Sequence, residues 1–511
     1  MELTRQTNWD RAKRQEKRSM ITAIMFGLLF VGWVGEASFA IDPALYNSLW
    51  RSPLVIFARL FAPVPFISLT PWQLLLIALA PFCVGTTTSG APRQHARDLD
   101  RAIFVSLTCI VVTFAWGLAR GGAPYFAYYQ VWRFLTALLV AYMLMSALRT
   151  PRDLVALGKI VVLAALIRAT LCIYCYWTVV NGKVFPLPEY ITNHDDSMLF
   201  VAAILIVVVP AIFKGQKSTW FMAVLILPYI FYAMVLNDRR IAWVELGLAL
   251  PLAYVLIGPG PLRSKINRWA IAAAPLAVIY IAVGWGSSNP IFEPVRALSS
   301  TGSDYDPSSL TRQEEARNLL HTLVDSGNPI LGTGWGVPYD KVESYWSNYA
   351  ADWILVQYTP HNSLLGLAAF AGLFGIIGIW GVVPLGAYLG ARGFRNSTEL
   401  VPRTAAMVAI SSIAAYSVHC YGDVGLQSLP GSLIFGAALA TVGKVAAWSE
   451  AATRPVSTAE GSHPVQRSRL PYRKAGANGG SLATRSQWSP PSQGNDGDAK
   501  PNRVPTRRLS R

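Results

Sequence analysis

The stretch YTPHNSLLGLAAFAGLFGIIGIW at 358–380 sets a histidine and an asparagine directly ahead of an apolar run. Imidazole is the side chain best matched to taking a proton near neutral pH, with a reference pKa near ~6.5. His361 is therefore a candidate general base for a hydroxyl. A second account of the pair needs no chemistry, because Asn362 is a good N-cap and Pro360 suits a chain entering a helix from a loop. Cations stand elsewhere. Arg239 and Arg240 lie in YAMVLNDRRIAWVEL, and Arg312 lies in SSLTRQEEARNLLHTLVDSGNPILGTGWGVPYD at 308–340. A guanidinium offers a planar fork of donors suited to phosphate oxygens, although an arginine at a membrane-helix end also snorkels to the interface. Arg312 falls in the first turn of an expected helix, where a cation is poorly placed for the dipole.

These side chains need a scaffold, and composition says which kind. With 53% hydrophobic and 14% charged residues and a mean hydropathy of +0.36, a soluble globular chain is excluded. Twelve apolar runs lie near 20–40, 69–86, 102–119, 124–147, 154–180, 198–213, 219–236, 240–258, 269–286, 362–388, 404–421 and 429–447. Crossing a ~30 Å hydrocarbon core takes roughly 17–25 helical residues, so the expectation is an all-α polytopic membrane protein of twelve spans. The stretch PLVIFARLFAPVPFISL at 53–69, broken by prolines and carrying Arg59, reads as an interfacial or re-entrant piece.

Orientation follows from where Lys and Arg collect. The N-terminal RAKRQEKR, the basic loop at 91–101, RTPR at 149–152, KGQK at 214–217, PLRSKINR at 261–268 and ARGFR at 391–395 fall on one side of the twelve-span arrangement. That side is expected to be cytoplasmic, with both termini. The division is then a basic N-terminus at 1–19, nine spans over 20–286, a large outer loop at 287–361, three spans over 362–447 and a disordered basic tail at 448–511. The adjacent Arg239 and Arg240 fall on the outer face, against the positive-inside bias. The first run, with ASFA at 37–40, resembles a signal peptide but reads as an anchor, because it is long and the alternation needs its crossing.

Within the outer loop, 308–323 reads as an amphipathic helix capped by Ser309 or Thr311, with Leu319, Leu320 and Leu323 as its apolar stripe. The glycines of GNPILGTGWG read as tight turns, since no strand precedes them and no Lys-Ser/Thr follows. Arg133 and Arg168 lie inside apolar runs, where charge is costly and faces a cavity or a partner; Glu245 is a candidate partner. The net charge of +16 reads as topology plus attraction to anionic membrane lipid rather than nucleic-acid binding, since no reading module accompanies it. The five cysteines, Cys172 and Cys175 of a C-x-x-C included, lie in or at the ends of apolar runs and suggest neither a disulfide framework nor a redox site. The six histidines lack zinc spacing, so no metal and no cofactor is expected.

In sum of motifs the chain resembles the O-antigen ligase and polymerase family. That family's signature places His-Asn nine residues ahead of Gly-x-x-Gly, met here by His361, Asn362, Gly372 and Gly375. The RRIAW segment at 239–243 is similar to its Ser-Arg-Gly-Ala element, and LTRQEEA followed by NPILGTGWG resembles its Gly-Arg helix and Asn-Pro-Leu-Phe-Gly-x-Gly turn. Arg239 and Ile241 depart from the first pattern and Thr311 from the second. Arg240 is favoured over Arg239 because Ala242 and Trp243 then fall in register.

The resemblance implies a GT-C-like glycosyltransferase architecture with one large periplasmic loop in the bacterial inner membrane. It implies transfer of a glycan from an undecaprenyl-diphosphate-linked oligosaccharide to a sugar hydroxyl of an acceptor glycan or lipid A core, without metal. His361 would be the base; Arg240, Arg312 and Arg239 would hold the diphosphate. Asn362, Arg168 and Arg133 would support, and Asp423, in HCYGDVGLQSL, would orient the acceptor. Polysaccharide export or chain-length regulator proteins are candidate partners. The alternatives are a transporter or flippase for a lipid-linked glycan, and a membrane scaffold. No internal repeat of the transporter kind is evident, and transport gives no reason for a long external loop with arginines.

Overall fold

The computed structural model describes residues 20–35, 60–61, 69–85, 96–183, 191–193, 195–287, 289–292, 294–296, 307–342 and 357–453. All of them belong to the first of two units, Met1–Arg454. The expected N-terminal basic segment, the ASFA stretch, nearly all of 53–69 and the tail from 454 onward lie outside the described residues.

The helices are α1 (Met20–Gly35), α2 (Pro71–Gly85), α3 (Arg97–Ala119), α4 (Pro124–Ala147), α5 (Pro151–Val180), α6 (Asp196–Lys214), α7 (Lys217–Leu236), α8 (Arg240–Ile257), α9 (Pro261–Gly284), α10 (Pro307–His321), α11 (Ser363–Asn396), α12 (Leu400–Gly422) and α13 (Leu429–Thr453). The chain is an all-α, multi-pass membrane protein. Ten of these helices are long and apolar enough to cross a membrane, against the twelve expected; α1 and α2 are shorter apolar helices. Among the described residues the sole β-pairing is one bridge between Asn328 and Gly332.

Local sequence sets the helix ends. Proline opens α4, α5 and α9, where its missing N–H would have had no partner. At α5 the Asp153 carboxylate accepts the backbone N–H groups of Arg149 and Thr150, both at 2.8 Å. At the end of α6, Gly215 takes the left-handed conformation that terminates a helix (φ 62°). The centre of the bundle is α13, whose apolar window is wholly buried against α4, α6, α12 and the second half of α11.

One irregularity positions the site. The helix α11 is broken at Gly372 (φ 54°, ψ −140°) and continues as a π turn, Phe374–Ile379. The N–H groups of Leu373 and Phe374 would ordinarily reach the carbonyls of Ala369 and Phe370, four residues back. Instead they donate to Pro329 (2.9 Å) and Ile330 (3.0 Å), while the N–H groups of Thr333 and Gly334 donate to Ala369 and Phe370, both at 2.9 Å. The NPILGTGWG turn thus fills the break. Its own fold comes from Asn328, whose Oδ1 accepts the N–H of Ile330 (2.8 Å) and Leu331 (3.1 Å). Trp335 then donates from Nε1 to the Thr113 hydroxyl of α3 (2.8 Å), and Gly336 donates to Oε1 of Gln130 on α4 (2.6 Å). Irregular backbone survives beside membrane helices because it is enclosed by protein.

Gly334 carries a close backbone approach. It has φ +90°, and a Cβ there would collide with the backbone of Gly117 on α3. We expect Gly334→Ala to cost about 1–3 kcal/mol from overpacking alone. Gly121, with φ +84° and open space around it, supplies the control for backbone strain without a clash. The two alanine variants compared by thermal unfolding in detergent give the answer, and equal melting would mean that the close approach contributes nothing.

The helix α10 departs from its expected pattern. α10 begins at Pro307, so Ser309 and Thr311 lie inside it rather than capping it. Leu319 is buried and Leu323 half-buried, but Leu320 is exposed. The buried face is mostly polar: Glu314, Glu315, Asn318 and Thr322 accompany Leu319. Apolar periodicity misplaces this helix because its burial is satisfied by hydrogen bonds rather than by alkyl contact.

Candidate active site

His361 is positioned from two directions. The start of α11 follows it directly, and α10 brings Glu315 against it. Glu315 Oε2 lies 2.8 Å from His361 Nδ1, and Oε1 accepts the backbone N–H of His361. The carboxylate is 4% exposed and the imidazole 35% exposed, so the ring remains reachable. A carboxylate accepts only, which assigns the hydrogen to Nδ1 and the lone pair to Nε2. Burial pulls this imidazole down, but the Glu315 hydrogen bond and charge, with help from Asp423, outweigh burial and the opposing Arg312. The pKa therefore stands above its ordinary value.

Asn362 has a separate task. Its Oδ1 accepts the N–H of Leu365 (3.0 Å) and caps α11. Helix capping and a proton acceptor are thus both available from the His-Asn pair, each from a different residue.

Two further helix ends meet this mouth. Asp423, at the end of α12, pairs with Arg239 at 2.8 Å, and its carbonyl accepts the Ser363 hydroxyl (3.2 Å) at the start of α11. Arg239 is 11% exposed. Arg240, the first residue of α8, and Arg312, on α10, are both exposed. The structure therefore brings Arg239, Asp423, His361 and Arg312 to one end of the bundle, with Arg240 adjoining.

Behind the mouth lies a sealed polar layer. His419 Nδ1 lies 2.7 Å from Glu245 Oε1, with neither side chain exposed, and its Nε2 is 3.8 Å from Asp195. Arg168 grips Asp196 with two hydrogen bonds of 2.8 Å, both side chains fully buried. Thr192 donates to the same carboxylate (2.7 Å). Glu245 is accordingly the partner of His419, and the intramembrane arginines take other partners: Asp196 for Arg168, and the rings of Tyr129 and Trp132 beneath Arg133, 5.2 and 4.9 Å from the guanidinium carbon. An apolar groove of about 470 Å³, bordered by Leu154, Lys159, Lys214, Thr219 and Thr404, lies at the opposite helix ends. It includes none of the mouth residues.

Sequence reading passed over Glu315, Asp195, Asp196 and His419. A usable signal existed for two of them: Glu315 falls one turn after Arg312 on the same face, and His419 falls one turn before Asp423.

The stretch from the first third of α7 to just past the π turn of α11, residues 222–380, matches the family model described as O-antigen ligase. The chain carries an O-antigen ligase family domain. No curated protein matches it. Within the ligase domain stand Arg239, Arg240, Glu245, Arg312, Glu315, His361, Asn362 and the Gly372 break. Asp423 reaches the mouth, and His419, Arg168 and Asp196 the sealed layer behind it, from outside the matched range. Among the described residues, no three His, Cys, Asp or Glu side chains are grouped as metal ligands.

Proposed function

We propose that this protein transfers a glycan from an undecaprenyl-diphosphate carrier to a sugar hydroxyl at the periplasmic face of the bacterial inner membrane. The observation that carries the reading is the mouth itself: an accessible imidazole with a basic Nε2, flanked by exposed arginines, in an O-antigen ligase domain. In the reaction, the acceptor oxygen bonds to the anomeric carbon as the bond from that carbon to the diphosphate oxygen breaks. His361 Nε2 takes the hydroxyl proton, and Arg312 and Arg240 hold the departing diphosphate. No cofactor or metal is required by these steps. Arg239, held by Asp423, fixes the wall from which Arg240 projects, and Asp423 shapes the acceptor side.

Both termini are assigned to the cytoplasm, 287–361 to the periplasm and 448–511 to a basic cytoplasmic tail, on the distribution of Lys and Arg. The acceptor is a growing glycan or lipid A core, which makes the protein a polymerase or a ligase. A polymerase would work beside export or chain-length regulator proteins.

Transfer in vitro from a synthetic undecaprenyl-diphosphate oligosaccharide tests the reading. A charge-assisted contact contributes about 1.5–3 kcal/mol, so Arg312→Ala and Arg240→Ala should each slow transfer roughly 10–150-fold at unchanged protein level. Lys should restore only part, because it cannot make the bidentate contact. Normal transfer by both Ala variants would remove the diphosphate role. Donor movement across vesicles without any glycosidic bond formed would favour transport instead.

A further inference from the structure

We infer that Glu315 is the positioning residue for His361: by holding Nδ1–H and the backbone N–H at once, it fixes the ring so that Nε2 is the nitrogen that takes the proton. This rests on the reading of His361 as the base. Glu315 commits both oxygens to this one residue, which orients the imidazole as well as setting its tautomer. The competing account is that Glu315 only fastens α10 to the bundle. That task has other agents. Asn318 Oδ1 accepts the N–H of Val342 (3.0 Å), and Thr322 Oγ1 accepts the N–H of Asp340 (2.8 Å), both further along the same helical face.

The charges acting on His361 come from two elements. Glu315 and Arg312 reach it from α10, and Asp423 reaches it from the end of α12. Arg312 and Glu315 are one turn apart, about 4.5 Å of rise. One helix therefore presents both the cation proposed for the diphosphate and the carboxylate that sets the base, so any movement of α10 on the donor also moves the carboxylate on the imidazole.

The test uses the full-length protein in detergent. Diethyl pyrocarbonate modification of His361, followed against pH by mass spectrometry, reports the availability of its neutral ring without any donor. We expect a wild-type midpoint above the reference of ~6.5, a shift to lower pH in Glu315→Gln, and recovery toward wild type in Glu315→Asp. Transfer by Glu315→Gln should fall on the order of 10–10⁴-fold, the span seen for carboxylates that orient a histidine, with the acidic limb of its pH profile moved to lower pH. Gln313→Ala, exposed two residues away, should leave both readouts unchanged.

An unshifted midpoint in a folded Glu315→Gln protein overturns the proposal. If that variant does not fold, a wild-type midpoint at or below ~6.5 overturns it and one above supports it. His361→Gln separates the two claims. An inactive His361→Gln with an unshifted Glu315→Gln removes only the positioning role, whereas an active His361→Gln removes the base itself.

Discussion

His361→Gln is expected to lower the transfer rate by roughly 10²–10⁴-fold, the usual contribution of a general base, while the protein still inserts and still binds the lipid-linked donor. Glutamine keeps a polar group of similar reach yet takes no proton at neutral pH. Asn362→Ala should behave differently. It removes the cap on α11 and costs about 0.5–2 kcal/mol of stability, with the chemistry intact. The pair of substitutions separates the two roles that the sequence sets side by side.

The pH dependence has a fixed sign. The imidazole pKa is raised by Glu315 against burial, so on the role proposed for His361 the ring is protonated at low pH and the rate is expected to climb as pH rises through that value. Stability runs the other way. The pair with Glu315 contributes fully below the unfolded pKa of ~6.5 and is lost as pH rises through the folded one. Thermal unfolding and kcat/KM recorded over the same pH series should therefore slope in opposite directions. A His361→Gln protein with wild-type turnover in the transfer assay would return His361 to a structural part.

Asp196→Ala is expected to destabilise the bundle by about 3–5 kcal/mol, because it leaves the guanidinium of Arg168 buried without its carboxylate. Both members of the pair are fully sealed, so water cannot take over. Replacing both together, Arg168→Met with Asp196→Leu, should recover most of the loss, since a buried pair contributes little over apolar side chains of similar volume. Unfolding of the wild type and the two variants in detergent decides it. A mild single variant would mean that solvent reaches the pair.

Much of the bundle was legible because membrane helices declare themselves by unbroken apolar length, and the order of those runs placed Arg239, Arg240, Arg312 and His361 at one end. The partners were not legible. Glu315 and His361 are 46 residues apart, Glu245 and His419 are 174 apart, and Arg168 and Asp196 are 28 apart. No local period links such positions. α10 shows the same limit in another form, since a helix that buries carboxylate and amide carries no apolar stripe to read. Gly372 was visible as part of a spacing, but its reason lies in a turn some forty residues earlier in the chain.

That turn has a consequence for how the protein is made. Before the segment 328–336 docks, the N–H groups of Leu373 and Phe374 and the carbonyls of Ala369 and Phe370 have only one another, so α11 must enter lipid as an uninterrupted helix. Docking of 328–336 replaces two intrahelical bonds by four bonds to the turn. Maturation is thus an exchange of backbone partners that follows insertion of the helix. A chain lacking residues 328–336 would hold a straight span, and chaperones or proteases watching the membrane would meet an immature protein with every helix already inserted.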